Sequence, residues 1–466
     1  MNPKKINRRK FLVNSLQSAA GLGVLASCDK RTVVGTDIRS PSAPVGLAGK
    51  ISKTADGTVA VSLSWQKHDL TDITGAKTET AITYNLYRDE SVIAGGLTGT
   101  AFTDTNSLQV NENYVYKLKA VDATKVNESP FSDPLTVAIL PFVDVFTVTR
   151  PDVMTGTSLI RPNIQPAVVK SMVHAAVMKM TNQATVPAAW ESLFPTLSAS
   201  TLIGIKINTL GMGNVSTKPQ VVDAIVDGLT QMQGGTFPAY NIVVFDDRGK
   251  DSHMKPAGYI LRNDPGTYRI TSTNYNTTLD PGAPMTVQQA DADLWGTTFS
   301  VATVDQRLSK LVEALDYIIN VPILKDHIQA GITFSMKNLY GLIDGPSRLH
   351  DNMCNPFIPA LYNTETNGTK LRDKIRLTVG DALIGCCTGG PAGSPNIKPC
   401  TIIVGTDPVA LDKWALDTIN SYRPAKMQIP LTQIPNVVQD ARHVFVASQP
   451  PYSLGSTNYA VTEVTA

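Results

Sequence analysis

Leu202-Ile-Gly-Ile-Lys-Ile-Asn208 reads as a short buried strand that ends on two polar side chains. Three further stretches share this build: Asn241-Ile-Val-Val-Phe245, Leu315-Asp-Tyr-Ile-Ile-Asn-Val321 and Thr401-Ile-Ile-Val404. Near-continuous β-branched runs of this length suit strands covered on both faces, as in a mostly parallel sheet flanked by helices. Residues 165–180 and 219–232 read as two such helices, the second with Pro219 in its first turn. The alternation runs from about residue 145 to 450 and predicts an α/β domain, with 451–466 left as a C-terminal tail.

The ends of these runs collect polar residues. Lys206 and Asn208 close the first, Asp246 the second, and Lys325 and His327 follow the third. Beyond them lie Lys337, Asn338, His350, Asp381 and Asp407. Ligands of open α/β sheets sit in the crevice past the carboxyl ends of the strands, so this set predicts one site. Lys206, Lys325, His327 and Lys337 are the candidate catalytic groups. Lysines beside apolar strand ends suit a carboxylate or phosphate as point charges, and burial lowers their pKa toward base or Schiff-base chemistry. Lys325 and His327 are two apart, so an extended segment turns both to one side. Asn208 and Asn338 are placed to orient substrate, with Asp246, Asp381 and Asp407 tuning charge. The competing reading gathers His327, His350, Asp246 and Asp381 around a divalent cation, although no H-x-x-x-H spacing supports it. A G-x-S-x-G elbow, a Walker loop and a Rossmann glycine pattern are all missing from the chain.

In order and spacing, four motifs resemble the domain of unknown function 362 (DUF362) family. They are Gly204-Ile-Lys-Ile-Asn208, Ile318-Ile-Asn-Val-Pro-Ile-Leu-Lys-Asp-His327, Ile332-Thr-Phe-Ser-Met-Lys-Asn-Leu-Tyr-Gly341 and Asp407-Pro-Val-Ala-Leu-Asp412. The resemblance spans about residues 200–420. Some members of that family carry an iron–sulfur segment, but this chain has no C-x₂-C-x₂-C run. The cofactor expectation therefore stays with a small anionic molecule or a divalent metal.

Residues 43–140 follow a different period. Val59-Ala-Val-Ser-Leu-Ser-Trp65, Ala81-Ile-Thr-Tyr-Asn-Leu-Tyr-Arg88 and Tyr114-Val-Tyr-Lys-Leu-Lys-Ala120 alternate in twos, which predicts a β-sandwich. Ala43-Pro-Val-Gly-Leu47, Trp65, and Leu108 six residues before Tyr114 resemble a fibronectin type III domain with its tyrosine corner. That resemblance implies a spacer or a protein-docking module. The whole is then multidomain: an all-β sandwich followed by an α/β domain.

The first 27 residues hold five Lys/Arg and no acid, so the remainder has 36 basic and 39 acidic residues. A mildly acidic chain has no electrostatic footprint for nucleic acid. Arg8-Arg-Lys-Phe-Leu12 resembles a twin-arginine export signal, and Leu25-Ala-Ser-Cys28 a lipobox with Cys28 lipidated. Residues 28–42 would tether the chain to the membrane. The expected location is the bacterial cell envelope, periplasm or surface, with the membrane a partner through the lipid. An exported chain permits disulfides, and two bridges from Cys354 and Cys400 to the Cys386-Cys387 pair are expected. The functional expectation is a cleft for a small anionic substrate or cofactor. The alternative is a non-catalytic envelope-binding, adhesion or scaffold protein.

Overall fold

A computed structural model describes residues 40–54, 57–67, 81–122, 127–246, 251–273, 295–366, 368–431 and 439–466. The signal, Cys28 and most of the tether lie outside the described residues.

The first unit has seven strands: β1 (Ala48–Lys53), β2 (Val59–Ser64), β3 (Ile82–Arg88), β4 (Ser91–Leu97), β5 (Ala101–Asp104), β6 (Asn113–Asp122) and β7 (Leu135–Ala138). They form two antiparallel sheets, β1-β2-β5 and β4-β3-β6-β7. Alternate residues of both sheets meet in one core, including Val61, Leu63, Tyr84, Leu86, Tyr116 and Leu118. Trp65 packs edge-on against Tyr84 with ring centroids 5.4 Å apart. The Tyr114 hydroxyl accepts from the Gln109 N–H at 2.8 Å and donates to the Ser107 carbonyl, tying the preceding loop to the strand.

The second unit is built on a mixed ten-stranded sheet. Its strands are β8 (Val143–Thr149), β9 (Ile203–Lys206), β10 (Ile242–Asp246), β11 (Arg269–Ser272), β12 (Tyr317–Asn320), β13 (Ile323–His327), β14 (Gly331–Thr333), β15 (Ile375–Cys386), β16 (Thr401–Gly405) and β17 (Tyr459–Glu463). The order is β11-β10-β9-β12-β15-β16-β8-β17, with β13 on the far half of β15 and β14 paired to β13. Strands β11, β10, β9, β12 and β15 run parallel. Pairings β15-β16 and β16-β8 are antiparallel, so the sheet is less uniform than the apolar runs predict. The expected tail at 451–466 is also corrected, because β17 joins the sheet as a parallel partner of β8.

Alternation along each strand feeds two apolar layers. Ile203, Ile205, Val244 and Ile319 face one layer, which packs against helices α1 (Pro166–Thr181) and α2 (Pro219–Thr230). Val243, Phe245 and Ile318 face the other, which packs against helix α3 (Pro408–Ser421). Gly204 lies between Leu315 and Phe245, where a Cβ would come within 2.3 Å of the leucine. Among the described residues no helix is long and apolar enough to cross a membrane.

The expected disulfides are not formed, and Cys354, Cys386, Cys387 and Cys400 are buried free thiols. Tertiary packing separates them: Cys400 belongs to the α1/α2 layer, Cys354 and Cys387 to the α3 layer, and Cys386 to a small cluster with Val215 and Ile323.

Candidate functional site

Strand order explains why the lysine of β9 is the hub. β9 lies between β10 and β12, so Lys206 ends beside Asp246 on one neighbour and directly opposite Asn320 on the other. Lys206 Nζ donates to Asp246 Oδ1 at 2.6 Å and to the Ile207 carbonyl at 2.6 Å, and both members of the ion pair are buried. The second Asp246 oxygen accepts from the Thr209 N–H and hydroxyl, each at 2.6 Å. Gly341 passes directly over the pair; a Cβ there would sit 2.8 Å from Lys206 Nζ and 3.0 Å from Asp246 Oδ1.

The short 3-10 helix Lys337–Leu342 brings Asn338 into the same network. Asn338 Oδ1 accepts from Asn208 Nδ2 at 3.0 Å and from Lys206 Nζ at 3.4 Å. Its amide nitrogen donates to Asn320 Oδ1 at 2.8 Å, and Asn320 in turn donates to the Ser335 carbonyl. Lys325 Nζ completes the group by donating to Asn208 Oδ1 at 2.8 Å and, weakly, to the Val215 carbonyl. A chain of amides therefore links all the lysine-bearing segments, with Lys206 the member whose charge is cancelled by a carboxylate.

Lys325 and Lys337 are different. Among the described residues neither forms an ion pair, and both are buried. Burial pulls the Lys325 ammonium down to about 7; Asp246 and Cys386 act against that fall, and the like charges of Lys337 and Lys206 add to it. Burial likewise lowers Lys337 to about 8. Among the described residues Lys337 Nζ meets neutral groups, His350 Nε2 at 3.0 Å and the Tyr340 ring, 4.0 Å from its centroid.

The two histidines stack, with ring centroids 5.4 Å apart. Their tautomers follow from their partners. His327 Nδ1 accepts from the Gln329 and Ala330 N–H groups, each at 3.1 Å, so its proton resides on Nε2. His350 Nδ1 faces the Pro346 carbonyl at 2.9 Å, which only accepts, so this ring carries its proton on Nδ1 and offers the Nε2 lone pair to Lys337. Burial, then the Lys337 charge, holds His350 down at about 4 and His327 at about 2, so both rings are neutral at pH 7.

Lys206, Asn208, Asp246, Lys325 and Asn338 thus assemble as one hydrogen-bonded network. Lys337, His327 and His350 stand beside it as a second cluster. The printed hydrogen bonds of Asp381 and Asp407 lead to backbone groups rather than into this network. Asp381 accepts from the Lys218 N–H, just before α2, and from the Leu383 N–H two residues on in β15, and burial raises its carboxyl to about 6. Asp407 caps α3 by accepting from the Val409, Ala410 and Ser456 N–H groups. The metal reading also separates. His327 and His350 meet, but Asp246 is held by Lys206 and Thr209, and Asp381 by the Lys218 and Leu383 N–H groups. Among the described residues no group of three or more His, Cys, Asp or Glu is placed to hold a metal ion.

Sequence reading passed over several participants. Thr209 and Asn320 lie inside or beside the quoted motifs and carry no distinguishing spacing. Asp412 and His443 are fully buried and 3.5 Å apart, and Asp412 accepts from the Met336 N–H, next to Lys337. His443 is on the short helix Arg442–Ser448, where no local pattern marks it. Asp326 points opposite to Lys325 and His327, pairing with Arg423 at 2.9 Å and holding the Gly390 N–H. A cavity of about 540 Å³ opens at the other end of the sheet, where Arg376, Thr406 and Asp144 line it.

No curated protein matches the chain. Solved structures described as "Structure of FN3tt mut" and "Myokine structure" are 23% and 16% identical, each over 22% of this chain, and are covered over 98% and 100% of their own length. The twitchin kinase region from C. elegans is 20% identical over 22% of this chain and 17% of that one. Their TM-scores are 0.16, 0.16 and 0.17. Residues 203–417, which supply the whole Lys206–Asn208–Asp246–Lys325–Asn338 network and the Lys337–His350–His327 cluster, match the family model described as Domain of unknown function (DUF362).

Proposed function

We propose that this region binds a small anionic substrate or cofactor and acts on it, with Lys325, Lys337, His327 and Lys206 as the working groups. The observation that carries the reading is the pair of buried lysines with no carboxylate partner among the described residues. Burying an ammonium without a counter-charge costs several kcal/mol, and an anion entering between them removes that cost. Lys206, already neutralised by Asp246, serves to position Asn338, which with Asn208 orients the ligand by hydrogen bonds. Calorimetric titration with malonate and with inorganic phosphate tests this. Binding is expected in the wild-type chain, weakened at least about ten-fold in Lys325→Met and in Lys337→Met, a loss of roughly 1.4 kcal/mol or more. Equal affinity in wild type and both variants would sink the proposal.

The setting we propose is the bacterial cell envelope. The Arg8-Arg9 signal and the Leu25–Cys28 lipobox support export and lipid anchoring. The tyrosine-corner hydrogen bonds of Tyr114 and the paired sheets of residues 48–138 support a fibronectin type III-like spacer that holds the DUF362 portion off the membrane or docks a protein partner. Palmitate labelling in the native host is expected for the wild-type chain and lost in Cys28→Ser. An unlabelled wild-type chain would end the anchor reading.

A further inference from the structure

We infer that the ligand's reacting group is an aldehyde or ketone carbonyl and that Lys337 captures it as a Schiff base. The inference rests on the anion-site reading above and assigns the chemistry within it. Three lysines compete for the role, and their surroundings distinguish them. Lys206 is held as an ammonium by Asp246 at 2.6 Å. Lys325 Nζ donates to Asn208 Oδ1 at 2.8 Å, an acceptor that favours its ammonium form and keeps it as a charge for the ligand's anion. Lys337 keeps 6% exposure, and its contacts are an imidazole lone pair and an aromatic face. Neither contact stabilises an ammonium as a carboxylate does, and burial favours the free amine further.

The histidine tautomers supply the remaining parts. His350, anchored by the Pro346 carbonyl, presents a bare Nε2 to Lys337 at 3.0 Å and is placed to take a proton from it. His327, anchored by two backbone N–H groups, carries a proton on Nε2 and stacks on His350. Its Nε2–H is the donor for the carbonyl oxygen, acting as a neutral imidazole. The Lys337 nitrogen forms the C–N bond while the carbonyl π pair moves to oxygen. The proton lost by nitrogen passes to His350. His350 returns that proton to the alkoxide oxygen, and the carbinolamine hydroxyl takes up one further proton from solvent and leaves as water, giving a protonated imine. Amine, carbonyl and one proton become iminium and water, with no oxidant or reductant. Lys325 faces the ligand's anionic group. The substrate class is therefore a small carbonyl acid.

The test is reductive trapping on the full chain at pH 7, using sodium cyanoborohydride with pyruvate or glyoxylate, followed by intact mass and peptide mapping. One adduct per chain is expected, on Lys337, at least about ten-fold over any other lysine. It is expected to vanish in Lys337→Arg and to form about ten-fold more slowly in His350→Leu. The wild-type peptide map decides the matter even if a variant fails to fold. Adducts spread evenly over surface lysines would overturn the inference. Malonate, an anion without an electrophilic carbonyl, separates the two claims. Lys325-dependent malonate binding without a Lys337 adduct overturns the carbonyl assignment and leaves the anion site standing. Absence of both removes both.

Discussion

Asp246→Ala is expected to destabilise the α/β unit by about 3–5 kcal/mol, because it strands a buried ammonium. In the wild-type chain Lys206 Nζ has Asp246 at 2.6 Å, and Gly341 closes over the pair so that no room is left for compensating solvent. The same substitution removes the acceptor for the Thr209 N–H and hydroxyl. The double variant Lys206→Met/Asp246→Leu removes both charges and is expected to recover most of the loss, as apolar replacements of buried pairs generally do. Urea unfolding followed on the α/β transition reads both. An Asp246→Ala midpoint equal to wild type would mean that Lys206 finds another counter-charge and that the proposed division of roles among the lysines is wrong. Function is expected to fall with the single variant as well, since Asn338 takes part of its orientation from Lys206.

Lys325→Met is expected to act in the opposite direction on stability while abolishing anion binding. The lysine is fully enclosed and its hydrogen-bond partners are neutral oxygens. At pH 6 the variant is expected to be more stable by about 1–3 kcal/mol, the cost of the unpaired charge less the two hydrogen bonds forgone. The pH dependence fixes the cause. Lys325 is lowered from 10.5 to about 7 in the folded state. Between those values the unfolded chain binds the proton that the folded chain has released, so wild-type stability rises with pH there, by up to about 1.4 kcal/mol per unit. Below about 7 both states are protonated and the full cost is present. The advantage of Lys325→Met is therefore largest at pH 6 and shrinks through pH 9. Thermal or urea unfolding at three pH values measures it. An advantage that stays constant with pH would show that lysine volume, rather than charge, is at issue. A site that is stabilised when a functional lysine is deleted is one in which stability has been given up for a ligand's charge.

Much of the architecture was readable from local pattern. The apolar runs at 202–208, 241–245, 315–321 and 401–404 became strands, and Pro219 and Asp407-Pro408 mark the first turns of α2 and α3. That Lys206, Asn208, Lys325 and Asn338 come together was readable, because polar side chains at the ends of buried strands have few other places to go. The roles of the carboxylates were not. Asp246, Asp381 and Asp407 each end or follow an apolar run, yet one neutralises Lys206, one is held by the Lys218 and Leu383 N–H groups and one caps α3.

Periodicity and capping act over a few residues, so single-chain pattern carries them. Which charge meets which is decided by strand order. β9 is inserted between β10 and β12, which brings Lys206 to Asp246 and Asn320 across 40 and 114 residues. The same topology spreads the four cysteines over three clusters, with Cys354 and Cys387 sharing one, recruits Tyr459–Glu463 to a sheet edge, and delivers His443 to Asp412. Residue type and spacing thus specified an α/β sheet with lysines and asparagines at its strand ends. Only the fold decided which lysines stay without a counter-charge, because that depends on contacts between segments distant in the chain and on the burial they impose.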